Sequence, residues 1–390
     1  MADEFTAVVS VLRTATNFSV IFGSLTPASM NIQLRILRSK FAYLAKIVHP
    51  DHVPDGLKKE AGIAFHELNQ LRVAAEEAIR AGQYDAAFRK NGKPAPADTG
   101  RTSAETVLYS PGGIAYHLDQ TPYRQGDFSM LYRATGIGVS REEVVVKIAL
   151  DPSLNAWLEN EARMLKRFAD AKPADPVGGI KAFLPVLRDT FMVTGERGRR
   201  HRANVIVAAP DFVSVTQILG AFRSGLDPRD AAWIARRVLA QMLAASMAGV
   251  VHGAITPDHV MVHPKTHEAL HIGWAHAIDR VAHPNARITH IIDRWKDWYP
   301  PEVFQKKPPD HTTDIYMAGK TILRLFGGDT KQNIFPEHAA SPAIIRTVLR
   351  CVEDSPARRY QDGKQALDEL TRAVRAYWGK TYRPLVMPGV

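Results

Sequence analysis

The stretch from Gly249 to Val262, GVVHGAITPDHVMV, decides how this chain is read. It closes on a short strand-like run near Val260, a second such run follows near Leu270, and long stretches with helical spacing dominate beyond Asp227. Upstream the pattern changes. Met130 to Ala134 and Val144 to Leu150 read as strands, the second (VVVKIAL) β-branched and interrupted by Lys147. Asn155 to Phe168 has helical spacing, and Asn204 to Ala209 reads as a further strand. Strands first and helices afterwards predict a small sheet-rich lobe followed by a larger helical lobe.

The 390 residues are 45% apolar, 8% aromatic and 23% charged, which excludes a disordered or collagen-like chain. The length predicts about two or three domains. Fifty Lys and Arg against forty Asp and Glu leave a net charge of +10, which permits an acidic partner without requiring nucleic acid. The basic run Glu196 to Arg202 (ERGRRHR) has no interleaved aromatics and reads as a solvated loop, so nucleic acid is disfavoured as a partner. Cys351 is the single cysteine; it excludes an internal disulfide or a CxxC site and reads as core. No apolar run reaches the roughly 18 to 20 residues of a membrane span. Val238 to Val251 comes nearest, but contains Gln241 and Ser246 and reads as a buried helix. Asp3 and Glu4 near the start are unlike a secretory signal, so the expectation is a soluble, cytoplasmic protein without a membrane partner.

One composition shift divides the chain. Gly92 to Thr102, GKPAPADTGRT, is rich in Pro, Gly and Ala and lacks large apolar residues, which is a linker composition. Before it, Leu34, Leu37, Phe41, Leu44, Ala45 and Val48 fall at steps of three and four and predict a helix over Ile32 to Val48. Pro50 and Pro54 make Asp51 to Gly56 a loop, and helical spacing resumes from Leu57 to Ala81 through Ala61, Phe65, Leu68, Leu71 and Ala75. The prediction is two antiparallel helices joined by a loop that opens His49-Pro50-Asp51.

With its flanks KFAYLAKIVHPD, AFHELNQLRVAAE and NFSVIFGSL, this segment resembles a J domain over about Asn17 to Arg80. In that family the tripeptide docks on a DnaK-type ATPase chaperone and stimulates its ATP hydrolysis. The resemblance implies a chaperone-binding surface of His49, Pro50 and Asp51 with the basic residues Arg35, Arg38 and Lys46. Where the family carries basic residues after the helix aromatic, here Phe41, this chain has Ala42 and Tyr43. That departure implies weak docking or docking tuned to a particular chaperone.

The rest of the chain, about Val107 to Ala376, resembles a protein kinase. Lys147 on its strand and Glu161 in the next helix look like the family's lysine–glutamate pair, which reaches ATP phosphates. GVVHGAITPDHVMV resembles the catalytic loop, LHIGWA the metal-binding loop, and YPPEVF the end of the activation segment. TTDIYMAGKTIL and EDSPARRYQDGKQALDEL resemble later helices, and Arg359 is expected to pair with Glu302. The positions that move phosphate are altered. The catalytic aspartate falls at Ala254, whose methyl neither orients a hydroxyl nor accepts its proton. The two magnesium ligands fall at His259 and Gly273, the catalytic-loop lysine at Thr256, and the three loop glycines at Arg124, Gly126 and Ser129. Asp258, His259, His263 and His276 lie near the lost positions, but they sit on no helix that would bring HxxxH or HExxH ligands onto one face, so they imply no metal site.

The combined expectation is an α+β chain: a small all-α J domain (1–82), a linker (83–105), a bilobal protein-kinase-like domain (106–380) and a tail (381–390). The function implied is a co-chaperone adaptor that recruits a DnaK-type chaperone, its kinase-like half a catalytically dead pseudokinase that binds an unidentified protein client. No catalytic residue, metal or cofactor is expected. Lys147, Glu161 and Gly126 are left as a vestigial nucleotide pocket, read first as a structural ion pair and second as a metal-free nucleotide site. Two alternatives stand beside it: an unconventional kinase-fold phosphotransferase or nucleotidylyltransferase, and a scaffold that stimulates no chaperone.

Overall fold

A computed structural model describes residues 2–15, 17–22, 30–84, 106–137, 141–170, 184–195, 198–337, 339–380 and 383–388. The linker expected at 83–105 lies, from residue 85 onward, outside these. The N-terminal helices are α1 (Ala2–Thr14), α2 (Phe18–Phe22), α3 (Met30–Val48) and α4 (Lys58–Arg80). α3 and α4 form the expected pair, with Leu34, Leu37 and Val48 buried together with Ala61, Leu68 and Ala75. Pro50 opens a single 3-10 turn, Pro50–His52, where its fixed φ and missing N–H cost nothing. A second such turn, Asp55–Leu57, leads into α4. The reading above does not anticipate α1, which buries Phe5, Val9 and Leu12, residues four and three apart.

The small lobe is an antiparallel sheet of β1 (Thr106–Tyr109), β2 (Ala115–Leu118), β3 (Arg124–Gln125), β4 (Ser129–Ile137), β5 (Arg141–Ala149), β6 (Leu187–Thr194) and β7 (Arg200–Val207). Its order is β1-β2-β4-β5-β7-β6, with β3 beside β4. Strand alternation on β5 sends Val144 and Val146 into a core with Tyr116, Phe191 and Val205, and turns Lys147 toward the cleft. α5 (Asn155–Asp170) buries Leu158, Met164, Leu165 and Phe168 along one stripe. The basic run is not simply a solvated loop: Arg200 to Arg202 begin β7, and Arg199 lies 3.3 Å from Asp151.

The large lobe holds β8 (Val213–Ser214), α6 (Val215–Ala221), α7 (Pro228–Met247), β9 (Val250–Val251), β10 (Val260–Val262), β11 (Ala269–His271), β12 (Ile278–Asp279), α8 (Pro301–Phe304), α9 (His311–Leu325), α10 (Pro342–Cys351) and α11 (Gly363–Trp378). Its core joins Ile234 and Leu239 of α7, Ile315 and Ile322 of α9, Ile344 of α10 and Leu370 of α11. Val238 to Val251 is not one buried helix. α7 stops at Met247, Gly249 turns the chain at φ +67°, and Val250–Val251 pair with β12. Cys351 is buried in the core as expected, and burial pushes its thiol up to about 12.

The N-terminal helices sit on the small lobe. Their core runs on into Phe128, Ala149, Leu154 and Leu158, and Lys40 meets Asp151 at 3.1 Å. Among the described residues no helix is long and apolar enough to cross a membrane.

Candidate active site

A cleft of about 940 Å³ opens between the lobes. Its roof is the turn from β3 to β4, closed by the Gly126 N–H donating to the Ser129 carbonyl at 2.8 Å. Ala208, Ala209 and Pro210 line it where the chain crosses between lobes, and Met261 and Ile272 line it from the large lobe. Lys147 Nζ lies 2.5 Å from Glu161 Oε1, so the expected pair is formed and Gly126 stands over the same cleft. The Asn204 amide braces Glu161 from the next strand, donating to Oε2 at 3.1 Å and to the Leu158 carbonyl at 2.8 Å. Asn204 Oδ1 in turn accepts from the Thr190 hydroxyl at 2.8 Å. A charge pair this buried and this fully bonded is fixed in place.

The loop from His252 to His259 is anchored from below. The His252 and Gly253 N–H groups donate to the two carboxylate oxygens of Asp314 at 2.7 and 2.9 Å. Burial pushes Asp314 up to about 7, while these two bonds pull it the other way. Ala254 brings only a buried methyl, but its carbonyl accepts from His259 Nδ1 at 2.9 Å. Gly273 has φ +86°, and a side-chain carbon there would lie 2.7 Å from the His259 ring. The two altered metal positions are therefore one feature, in which the imidazole takes the space a Gly273 side chain would need. Burial, reinforced by His276, lowers His259 to about 4; burial, reinforced by His259, lowers His271 to about 3. Magnesium wants oxygen ligands in octahedral geometry. Ala254 and Gly273 supply none and His259 supplies nitrogen, so this donor set does not fit that ion.

Asp258, one of the four residues near the altered positions, is a structural hub. It accepts from Arg124 at 2.9 Å and from the Thr216 hydroxyl at 2.8 Å, and also meets Arg294 and Trp295. Through Arg124 it ties the cleft roof to the large lobe. His276 lies in the cleft wall beside His259, whereas His263 packs on Phe212 and accepts from the turn at Lys265 and Thr266. Sequence reasoning missed Asp127, Arg124 as a bridge, and Arg294. The available signal for Asp127 was an acidic residue directly after Gly126, in a loop that would face phosphate.

On the N-terminal unit, Asp51 and Lys46 are exposed at the helix junction, and Arg38 is exposed on α3. His49 Nδ1 accepts from the Asp51 N–H at 3.2 Å, and its ring stands edge-on to Phe65 with centroids 4.9 Å apart. Pro50 is half-buried, and the Arg35 side chain lies outside the described ones.

No family model matches the chain. A segment of 149 residues is 29% identical to a probable serine/threonine-protein kinase of Clostridium acetobutylicum, covering 33% of this chain and 22% of that protein. The solved structure of vaccinia related kinase 3 is similar with a TM-score of 0.55 at 14% identity, over 75% of this chain and 96% of that one. The fold is that of a protein kinase. On this kinase fold the expectation of a chain without enzymatic activity is corrected, because the proteins it matches are named as kinases. That expectation rests on residue identities alone; in the structure His259 and Gly273 pack as one feature, and Lys147, Arg124 and Arg294 line the cleft.

Proposed function

We propose that the chain is a kinase-fold enzyme that binds ATP in this cleft and transfers a phosphoryl or nucleotidyl group to an acceptor. The observation that carries the reading is the Lys147–Glu161 pair, braced by Asn204 and opening on a cleft of about 940 Å³. Lys147, Arg124 and Arg294 line the cleft, held by Glu161 and Asp258, and are the cations that phosphates would meet there. Ala254 offers no base, but transfer through a loose transition state rests on positioning and charge more than on proton abstraction. Radiolabel on the α- or γ-phosphate of ATP distinguishes the two transfers when followed into the protein and a general acceptor. The expected result is transfer from one of the two positions, lost in Lys147→Met together with at least about tenfold weaker binding of a fluorescent ATP analogue. No transfer from either position, with equal analogue binding by the variant, would remove the reading.

A second reading concerns the other unit and is compatible with the first. The His49-Pro50-Asp51 turn between α3 and α4, with Asp51 exposed and His49 and Pro50 half-buried, favours recruitment of a DnaK-type chaperone to a protein client held by the kinase-like half. On that reading Arg38 and Lys46 extend the docking surface, and Lys40 does not, being engaged by Asp151.

A further inference from the structure

Asp127 at the tip of the cleft roof, His259 from the loop below and His276 from the turn after Gly273 place their ligand atoms within 4.8 Å of one another. His276 Nε2 and Asp127 Oδ2 are 3.6 Å apart. That is too long for a hydrogen bond. It matches two ligands of one ion, since bonds of about 2.0–2.2 Å put neighbouring tetrahedral ligand atoms roughly 3.4 Å apart.

The histidines are prepared for the task. A carbonyl only accepts, so the 2.9 Å contact with Ala254 puts the His259 proton on Nδ1 and leaves the Nε2 lone pair free. This backbone tie is the kind of outer contact that fixes a metal-ligating imidazole. The His276 side chain is 3% exposed, and its Nδ1 has no hydrogen-bond partner among the described residues. Phe128 stacks on Trp157 at 4.1 Å and lies 4.9 Å from the His276 ring, shielding one side. Asp127, His259 and His276 all line the cleft, so the remaining coordination positions face it.

We propose that Asp127, His259 and His276 form a three-ligand site for a borderline first-row transition ion, such as zinc or cobalt, in place of magnesium. Two imidazoles and one carboxylate select the borderline members of that row, zinc and cobalt, over manganese and magnesium, which prefer oxygen ligands. An open three-ligand site is also the form that takes up a substrate oxygen. The further step, that this oxygen belongs to a nucleotide phosphate, rests on the function proposed above; the metal site itself does not.

The test uses the full chain, stripped with a chelator and titrated with Co²⁺ and Zn²⁺ alone, without nucleotide. Calorimetry gives stoichiometry, and cobalt absorption reports ligand type. The expected result is one site per chain with a low-coordinate cobalt spectrum, not displaced by millimolar Mg²⁺. Affinity should fall at least about tenfold in His276→Ala and in Asp127→Asn. Asp127→Asn keeps side-chain shape on a partly exposed loop, so its metal-free melting temperature serves as the folding control. Unchanged affinity in a folded Asp127→Asn protein, or no cobalt binding by the wild type, overturns the site. Because nucleotide is absent, either result leaves the transferase reading to its own assay.

Discussion

At Gly273 the backbone φ is +86°, and a side-chain carbon would lie 2.7 Å from the His259 ring. His259 cannot swing away without breaking its bond to the Ala254 carbonyl. Gly273→Ala should therefore cost about 1–2 kcal/mol from the left-handed backbone alone, with a steric addition. Urea unfolding measures it. Combined with His259→Ala, the steric part disappears, so the double variant should lose at least about 0.5 kcal/mol less than the sum of the single losses. Strict additivity would show that the ring and the glycine are unrelated. At this scale the sequence shows two separate departures, His259 and Gly273, and nothing of their link. The link depends on a dihedral angle and a ring position that only the folded loop determines.

Among the elements, the joint between α8, α9 and the segment before α11 is held by one buried ion pair. Arg359 is fully buried and meets Glu302 at 2.6 and 3.0 Å, while also donating to the carbonyls of Thr312, Glu353 and Asp354. Arg359→Met would leave a buried carboxylate without its partner, with a loss of about 3–5 kcal/mol expected in urea unfolding. Adding Glu302→Leu should recover much of that loss, because the stranded charge is then gone. A loss under about 1 kcal/mol for the single change would place the joint's strength in its apolar packing instead. This pair was legible in the sequence because kinase-like segments fell in kinase order around Glu302 and Arg359. Lys147 and Glu161 were legible for the same reason, and strand alternation on β5 explains why the lysine reaches the cleft. The end of α7 was not legible: Val238 to Val251 is apolar apart from Gln241, Ser246 and Gly249, and the helix-to-strand change rests on Gly249. α1 carries a readable apolar spacing of its own, but its purpose appears only when α3 and α4 cover it.

At the scale of the molecule, the N-terminal helices are seated on the small lobe through an apolar core that includes Phe128 and Leu158, and through Lys40 on Asp151. Burial lowers the Lys40 pKa, and Asp151 offsets part of that, so the contact is a packed ion pair and not a loose surface one. No local pattern in the sequence announces it, because the partners lie on different units and the linker composition says nothing of where the first unit rests. The seating divides the basic residues of α3 into two sets. Lys40 is turned inward, whereas Arg38, Lys46, His49 and Asp51 stay accessible at the turn. A chaperone partner would thus meet the accessible set without displacing the small lobe. On that reading the full chain should raise the steady-state ATP hydrolysis of a bacterial DnaK-type chaperone, and His49→Gln should return it to the rate of the chaperone alone. Thermal unfolding of that variant should stay close to the wild type, because the side-chain hydrogen bonds of His49 among the described residues run only to Asp51 and its ring meets Phe65 at a half-buried position. Lys40→Ala should do the reverse, lowering the unfolding temperature while leaving stimulation in place at temperatures where the variant is folded. If His49→Gln leaves stimulation unchanged, or the wild type gives none with any DnaK-type partner tried, the chaperone reading falls and the N-terminal unit is left as a structural part of the kinase-fold lobe.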